Sequence, residues 1–130
     1  EKKILEMISQ GEKLSKILKE ICLEAENLSH DMLCSFLLVD DTGKSLLTSA
    51  APNLPQEYLD ETALVPIAPG IGSCGTASYL KEQVIVSDID TDPLWKDFRD
   101  LALRNNLYAC WSTPILSHNE ELFGTFAMYY

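Results

Sequence analysis

Two pairs of apolar runs, each joined by a short polar turn, constrain the fold of this chain most strongly. The first pair is Met32 to Val39 and Ser45 to Ala51, joined by a segment whose Asp-Thr-Gly is typical of a hairpin turn. The second pair is Tyr108 to Leu116 and Leu122 to Tyr130. Runs joined this closely can pair only antiparallel. The sequence therefore predicts an antiparallel sheet, with Met32 to Val39 and Leu122 to Tyr130 as its central strands.

Helical patterns precede and separate these hairpins. Residues Lys2 to about Leu28 carry apolar side chains at spacings of three and four, which predicts one long amphipathic helix. Ser73 is a plausible N-cap for a short helix that ends near Lys81. Asp92 followed by proline predicts the start of a third helix. The order of elements predicts an α+β fold: a central antiparallel sheet of five or six strands with helices on its faces.

The remaining segments are short. Val84 to Val86 predicts a brief strand. Pro52 to Pro69 holds four of the six prolines, which predicts a loop with one helical turn at Gln56 to Leu59. The chain has 130 residues and starts in the middle of a helical pattern. We therefore expect a single domain over residues 1–130, cut from a longer protein.

The charge balance excludes one class of partner. The formal net charge is −10 and the ten basic residues are scattered, whereas nucleic-acid binding needs clustered Lys and Arg. No window of about 18 apolar residues exists, so we expect no membrane contact by this segment. The composition favours an acidic cytoplasmic module.

One motif match is misleading. Gly70-Ile71-Gly72-Ser73-Cys74-Gly75 matches the dinucleotide-binding fingerprint, which requires a buried strand just before it. Val65-Pro66-Ile67-Ala68-Pro69 stands there instead, and its prolines lack ladder donors. We expect the glycines to let one backbone approach another. The amides at the start of the following helix could still hold a small anion.

Five blocks, in this order, resemble a known family. They are Gly72-Ser73-Cys74-Gly75-Thr76-Ala77, Val84-Ile85-Val86-Ser87-Asp88-Ile89, Asp92-Pro93-Leu94-Trp95, Ala109-Cys110-Trp111-Ser112-Thr113-Pro114-Ile115 and Leu122-Phe123-Gly124-Thr125-Phe126-Ala127-Met128-Tyr129-Tyr130. Together they resemble GAF domains, in particular those of bacterial sensor histidine kinases and cyclic-di-nucleotide signalling proteins. The resemblance implies a PAS-like fold and a regulatory domain of a cytoplasmic signal-transduction protein, covalently linked to an output domain. It assigns no catalytic residue.

The resemblance also implies a ligand cavity. It would lie between the sheet and two segments, Ile71 to Tyr79 and Pro93 to Ala102, and would bind an unknown small molecule. The candidate pocket residues are Ile71, Ser73, Cys74, Tyr79, Asp88, Trp95, Phe98, Trp111 and Thr113. A ligand, or an upstream domain, would shift the balance between two arrangements of the terminal helices. A purely structural dimerisation module with a filled core is a further alternative.

The cysteines leave a redox alternative open. Cys22, Cys34, Cys74 and Cys110 are widely spaced and form no Cys-x-x-Cys pair, which predicts reduced thiols and no metal site. Cys74 falls in the first turn of a helix, a position that favours the thiolate. The alternative function is a thiol-based redox enzyme or sensor related to free methionine sulfoxide reductase. The match to that branch fails beyond Ala109-Cys110.

The histidines and the motifs that are absent bear on cofactors, and the first helix bears on partners. Neither His30 nor His118 is placed like an axial haem ligand, and the Cys-His dipeptide of bilin-binding GAF domains is absent. The motif of cyclic-nucleotide GAF domains is also absent. We therefore predict no cofactor. The early turns of the first helix have little sheet to cover, so Ile4 and Ile8 predict a homodimer in which these helices associate.

Overall fold

The structure, a computed structural model, describes residues 14–130. In chain order its elements are α1 (Leu14–Asn27), β1 (Leu33–Val39), β2 (Ser45–Ala50), α2 (Gln56–Glu61), β3 (Leu64–Pro66), α3 (Gly72–Leu80), β4 (Val84–Val86), a 3₁₀ turn (Pro93–Trp95), α4 (Arg99–Arg104), β5 (Cys110–Leu116) and β6 (Leu122–Tyr129). The part of the predicted amphipathic helix that falls within these residues is present as α1; its earlier part, from Lys2, lies outside the described residues. Ile4 and Ile8, the predicted dimer contacts, lie outside the described residues.

One sheet of six strands organises the fold. Its strand order is β3-β2-β1-β6-β5-β4, and every neighbouring pair is antiparallel. The central pair, β1 and β6, runs in register from Leu33 opposite Tyr129 to Leu38 opposite Gly124. The predicted α+β class, the antiparallel sheet and its central strands are thus confirmed.

Both faces of the central strands are buried, in two separate clusters. Side chains of β1 alternate between faces because a strand repeats every two residues. Cys34 and Phe36 pack under α1, where they meet the buried Leu18 and Cys22. The helix stripe therefore faces the sheet, and Cys22 lies on its apolar side as predicted. Leu37 faces the opposite cluster, which lies beneath the connections between β2 and β5.

The sequence prediction missed one strand. Leu64, Val65 and Pro66 form β3 within the segment expected to be a loop. Pro66 lies opposite Ser45 at the edge of the sheet, where a missing N–H donor leaves no neighbouring strand unpaired. The prediction of a loop was wrong here, because proline is excluded from central strands but is tolerated on a strand at the edge of a sheet.

The helix predicted after Asp92 begins as expected and then breaks. The Asp92 carboxylate accepts a hydrogen bond from the Leu94 amide at 2.9 Å, which confirms the cap. A single 3₁₀ turn follows, and α4 begins only at Arg99. The Arg99 guanidinium donates to the carbonyls of Asp92 and Ile89 at 2.9 and 3.1 Å. Because a side chain satisfies these carbonyls, the backbone does not need to continue as one helix.

The described helices have no transmembrane character. None of those within residues 14–130 combines the length and the apolar composition needed to cross a bilayer. Leu28, assigned to the apolar stripe of the first helix, lies just past the end of α1 and is 89 % exposed. The stripe that contacts the sheet therefore ends inside the helix.

Gly75 tests the predicted close approach of two backbones. A Cβ added there would lie 2.6 Å from the Pro66 carbonyl oxygen and 2.8 Å from Ile71 Cβ. We expect Gly75→Val to lower the free energy of unfolding by about 2 to 3 kcal/mol, because β3 and α3 must separate. Urea unfolding followed by circular dichroism measures the change. Leu80→Val, at a half-exposed position of the same helix, is the control and should cost about 0.5 kcal/mol. Equal midpoints for the two variants would contradict the prediction.

Candidate functional site

A cavity lies between the sheet and the connections that cover one of its faces. The strands contribute Ser35, Leu37, Thr48, Val65 and Tyr129. The segment around α2 contributes Leu54, Tyr58, Leu59 and Thr62. The start of α3 and the 3₁₀ turn contribute Ile71, Gly72, Ser73, Cys74, Trp95 and Phe98. The space open to the centre of a water-sized sphere is about 30 Å³, which holds roughly two waters. An organic ligand would need the walls to move apart.

The Ser73 hydroxyl joins three elements behind one wall of the cavity. Ser73 is fully buried in the first turn of α3. Its Oγ accepts a hydrogen bond from Trp95 Nε1 at 3.0 Å and donates to the Cys110 carbonyl at 3.0 Å. The prediction that Ser73 caps α3 is wrong, because the helix starts at Gly72 and Ile71, two residues before Ser73, takes the cap position. The hydroxyl is thereby free to hold the tryptophan.

Two thiols meet beneath the start of α3. The pKa of Cys74 is lowered to about 7, chiefly because the Cys110 thiol hydrogen bonds to its sulfur, and Ser112 Oγ donates to the same sulfur at 3.3 Å. Burial, together with the hydrogen bond to Cys74, raises the pKa of Cys110. Thr125 lies beside the Cys74 sulfur. Its hydroxyl nevertheless has no well-formed hydrogen bond within residues 14–130. Cys74 is thus the more acidic of two adjacent, buried thiols.

The second thiol pair has the opposite character. Cys22 and Cys34 lie under α1 on the other face of the sheet and are fully buried. Burial raises the pKa of Cys22 to about 12 and that of Cys34 to about 11. All four cysteines are unpaired, in line with the expectation of reduced thiols. Only the pair on the cavity side has hydrogen-bond donors that stabilise a thiolate.

Two tyrosines close another side of the cavity. Tyr58 donates to the Tyr129 hydroxyl at 3.1 Å, and the rings pack edge to face with centroids 5.6 Å apart. Burial raises the pKa of both phenols, so both are neutral. Outside the cavity, Arg104 and Glu57 form an exposed ion pair at 2.8 Å that links α4 to α2. The two helical segments that flank the cavity are therefore connected to each other.

Five of the predicted pocket residues lie together at the cavity. They are Ile71, Ser73, Cys74, Trp95 and Phe98.

The other four predicted residues do not line it. Tyr79 is mostly exposed near the end of α3, and Asp88 hydrogen bonds within its own turn to Asp90 and Thr91. Trp111 and Thr113 alternate with the inward-facing Cys110 and Ser112, so the pleat turns them to the other side of β5. Trp111 packs against Tyr130.

The predicted pocket residues left out most of the lining, including Ser35, Tyr58 and Tyr129. Ser35 left a signal, because it is a polar residue inside an otherwise apolar run that forms a central strand. Tyr129 lies two residues after the fully buried Ala127 on β6, so the alternation of a strand places both side chains on the same face of the sheet. Tyr58 lies on α2, whose side chains could be placed only once its packing on the sheet was known.

The sequence model of one protein family, the GAF domain, matches residues 12–130 of this chain. The chain belongs to the GAF domain family.

Individual relatives agree with this assignment. The methyl sulfide methyltransferase-associated sensor of Methanosarcina acetivorans is 32 % identical over 127 residues. That alignment covers 98 % of this chain and 13 % of the sensor, so the chain spans a small part of that relative's length.

Two solved structures share the fold. The GAF domain region of a membrane protein from Geobacter sulfurreducens PCA has a TM-score of 0.74 at 18 % identity. The alignment covers 95 % of this chain and 80 % of the Geobacter chain. The free methionine-R-sulfoxide reductase from Neisseria meningitidis has a TM-score of 0.69 at 21 % identity. The alignment covers 88 % of this chain and 61 % of the reductase chain. At these identities the likeness establishes the fold alone.

The Ser73 hydroxyl should stabilise this GAF domain strongly. Ser73→Ala leaves the Trp95 indole N–H and the Cys110 carbonyl without their partner, and each orphaned buried group costs about 1 to 3 kcal/mol. We therefore expect the free energy of unfolding to fall by about 2 to 4 kcal/mol in urea titrations. Ser78→Ala is the matched control, because Ser78 is buried in the same helix and its Oγ has no partner within residues 14–130. An equal loss in both variants would contradict a special role for Ser73.

Proposed function

We propose that this GAF domain is sensory: it binds a small molecule in the cavity and relays occupancy to an output domain in the same polypeptide. The observation that carries the proposal is the position of the cavity against β1, whose other face holds α1. The likeness to a sensor over 98 % of the chain supports the same function. A cytoplasmic location stays a prediction.

The relay follows from how the walls must move. The water-accessible space is about 30 Å³, so a ligand has to displace side chains on β1, α2 or α3. A ligand that binds an expanded arrangement more tightly shifts the population toward it. Movement of β1 reaches α1 directly, because Cys34 and Phe36 pack under that helix. Pairing of two copies through Ile4 and Ile8 would carry the change onward.

Native mass spectrometry tests this function with a blocked variant. We expect a small-molecule adduct on the protein purified without additives, or after incubation with a metabolite extract. Leu59→Trp places a bulky ring at the cavity lining and should abolish the adduct. Leu47→Trp is the control, because Leu47 is half-exposed on β2 and lies outside the lining. No adduct on the parent, or an adduct that survives Leu59→Trp, would overturn the proposal.

A second candidate function is thiol redox sensing, favoured by the burial of Cys74 and Cys110 in one cluster and by the hydrogen bond that Ser112 Oγ donates to the Cys74 sulfur. The Cys74 thiolate would attack the distal oxygen of a hydroperoxide, which breaks the O–O bond and releases an alcohol after protonation. The Cys110 sulfur would then attack the resulting sulfenic acid and release water as the S–S bond forms. The two thiols lose two electrons in total and the hydroperoxide gains them.

The pH dependence of stability distinguishes an activated thiol from an inert one. The pKa of Cys74 lies near 7 in the folded protein and near its usual 9.0 when unfolded. The folded state therefore releases its proton at a lower pH than the unfolded state, so the stability that this thiol contributes should rise between about pH 7 and pH 9 and be lost as the pH falls through 7. We expect this rise, measured by urea unfolding under reductant, to be absent in Cys74→Ser.

The control for that experiment is the other thiol pair. Cys22→Ser together with Cys34→Ser should leave the rise intact, because burial holds the pKa of both thiols above their usual range. One equivalent of hydrogen peroxide should then remove two hydrogen atoms from this double variant and join the peptides of Cys74 and Cys110. A flat stability profile in the parent, or no such cross-link, would overturn the redox function.

A further inference from the structure

The cavity lining contains no ionisable carboxylate, amine, guanidinium or imidazole among residues 14–130. This contrasts with the whole chain, where 20 acidic and 10 basic residues give a net charge of −10. The groups that can form hydrogen bonds there are hydroxyls, one thiol and one indole, and both tyrosines are neutral. Among the described lining residues the Cys74 thiol, whose pKa is about 7, is the group that can gain a negative charge near neutral pH. Below pH 7 this thiol is protonated, and the site then offers shape and neutral hydrogen bonds.

An ionised ligand would enter such a site at a large cost. Removing a charge from water costs several kcal/mol even after the protein relaxes, and an ion pair is needed to offset it. A carboxylate or a phosphate would find no counter-ion in the described lining, and an ammonium group would find none while the Cys74 thiol is protonated. An amino acid carries two such charges, so this reasoning also disfavours free methionine sulfoxide, the kind of substrate for which the reductase relative is named.

Ser35 identifies where a polar atom of the ligand would sit. Its hydroxyl lines the cavity, the residue is 1 % exposed, and Oγ has no hydrogen-bond partner within residues 14–130. An orphaned hydroxyl in a protein interior destabilises the protein, so a ligand that pairs with it offsets that cost. A hydroxyl can both donate and accept, and it can therefore pair with an alcohol or a carbonyl oxygen.

We propose that the natural occupant is a small uncharged molecule, mostly apolar, with one hydroxyl or carbonyl oxygen that hydrogen bonds to Ser35. This inference rests on the proposed sensory function and specifies its ligand class. The apolar part packs against apolar lining residues such as Leu37, Val65 and Phe98. Trp95 is held by Ser73 and forms a fixed wall. Selection against charge comes from desolvation and requires no repelling group.

Two matched series of probes test the charge preference. One series is isobutanol, isobutyrate and isobutylammonium; the other is benzyl alcohol, benzoate and benzylammonium. Within each series the carbon skeleton is nearly constant, so differences in affinity report charge. Titrations at pH 6, where the Cys74 thiol is protonated, are followed by backbone amide shifts and by saturation transfer to the probe and give the dissociation constants. We expect the alcohol of at least one series to bind at least about tenfold more tightly than both of its charged partners.

A pair of serine variants tests the hydrogen bond. Ser35→Ala should weaken alcohol binding roughly fivefold, as expected for the loss of one neutral hydrogen bond, while the fold remains stable because the removed hydroxyl had no partner. Ser78→Ala is the matched control: its hydroxyl is equally buried and unpartnered within residues 14–130, and it lies outside the lining. Ser78→Ala should leave the affinity unchanged.

The outcomes separate this inference from the function on which it rests. Tighter binding of the charged members would overturn the ligand class while leaving a small-molecule sensor in place. Alcohol binding that is insensitive to Ser35→Ala, or equally weakened by Ser78→Ala, would overturn the contact with Ser35. No binding of any probe in either series would overturn both the ligand class and the binding function of the cavity.

Discussion

The side chain of Ser73 holds together the part of the structure on which the cavity depends. Trp95 is almost fully buried, and its indole N–H needs a hydrogen-bond partner there. Ser73 accepts this hydrogen bond and donates its own O–H to the carbonyl of Cys110 on β5. One hydroxyl thus fixes the distance between a helix, a turn and a strand. The connections that form the roof of the cavity are mostly irregular, and this contact gives them a defined position over the sheet.

The two thiol pairs show how environment decides the chemistry of one residue type. Both pairs are buried and unbonded, and each places a helix thiol beside a strand thiol. Under α1 the surroundings are apolar, and desolvation raises both pKa values. Beneath α3 the donors from Cys110 and Ser112 stabilise negative charge on Cys74. A cysteine count alone, or a burial value alone, would have treated the four residues as equivalent.

The fold could be predicted from the sequence because its determinants are local. Hairpin turns, helix spacing and the Asp92 cap each act within a few residues, and together they define the sheet and its neighbours. The site was only half predictable because its residues converge from distant elements. Trp111 was assigned to the cavity from the family resemblance, but the pleat of β5 turns it away. Ser35 lies on a strand that was predicted to be central, but only the structure shows which face of that strand meets the cavity.

Successive side chains of β1 point to opposite faces of the sheet, so the two faces of one strand have different functions. Ser35 and Leu37 face the cavity, while Cys34 and Phe36 face the helix, and single peptide bonds join the two sets. A substitution at an odd-numbered position changes what the cavity accepts and leaves the helix contact in place. During divergence of related chains, ligand preference can therefore change one residue at a time while the surface that docks the helix is inherited unaltered.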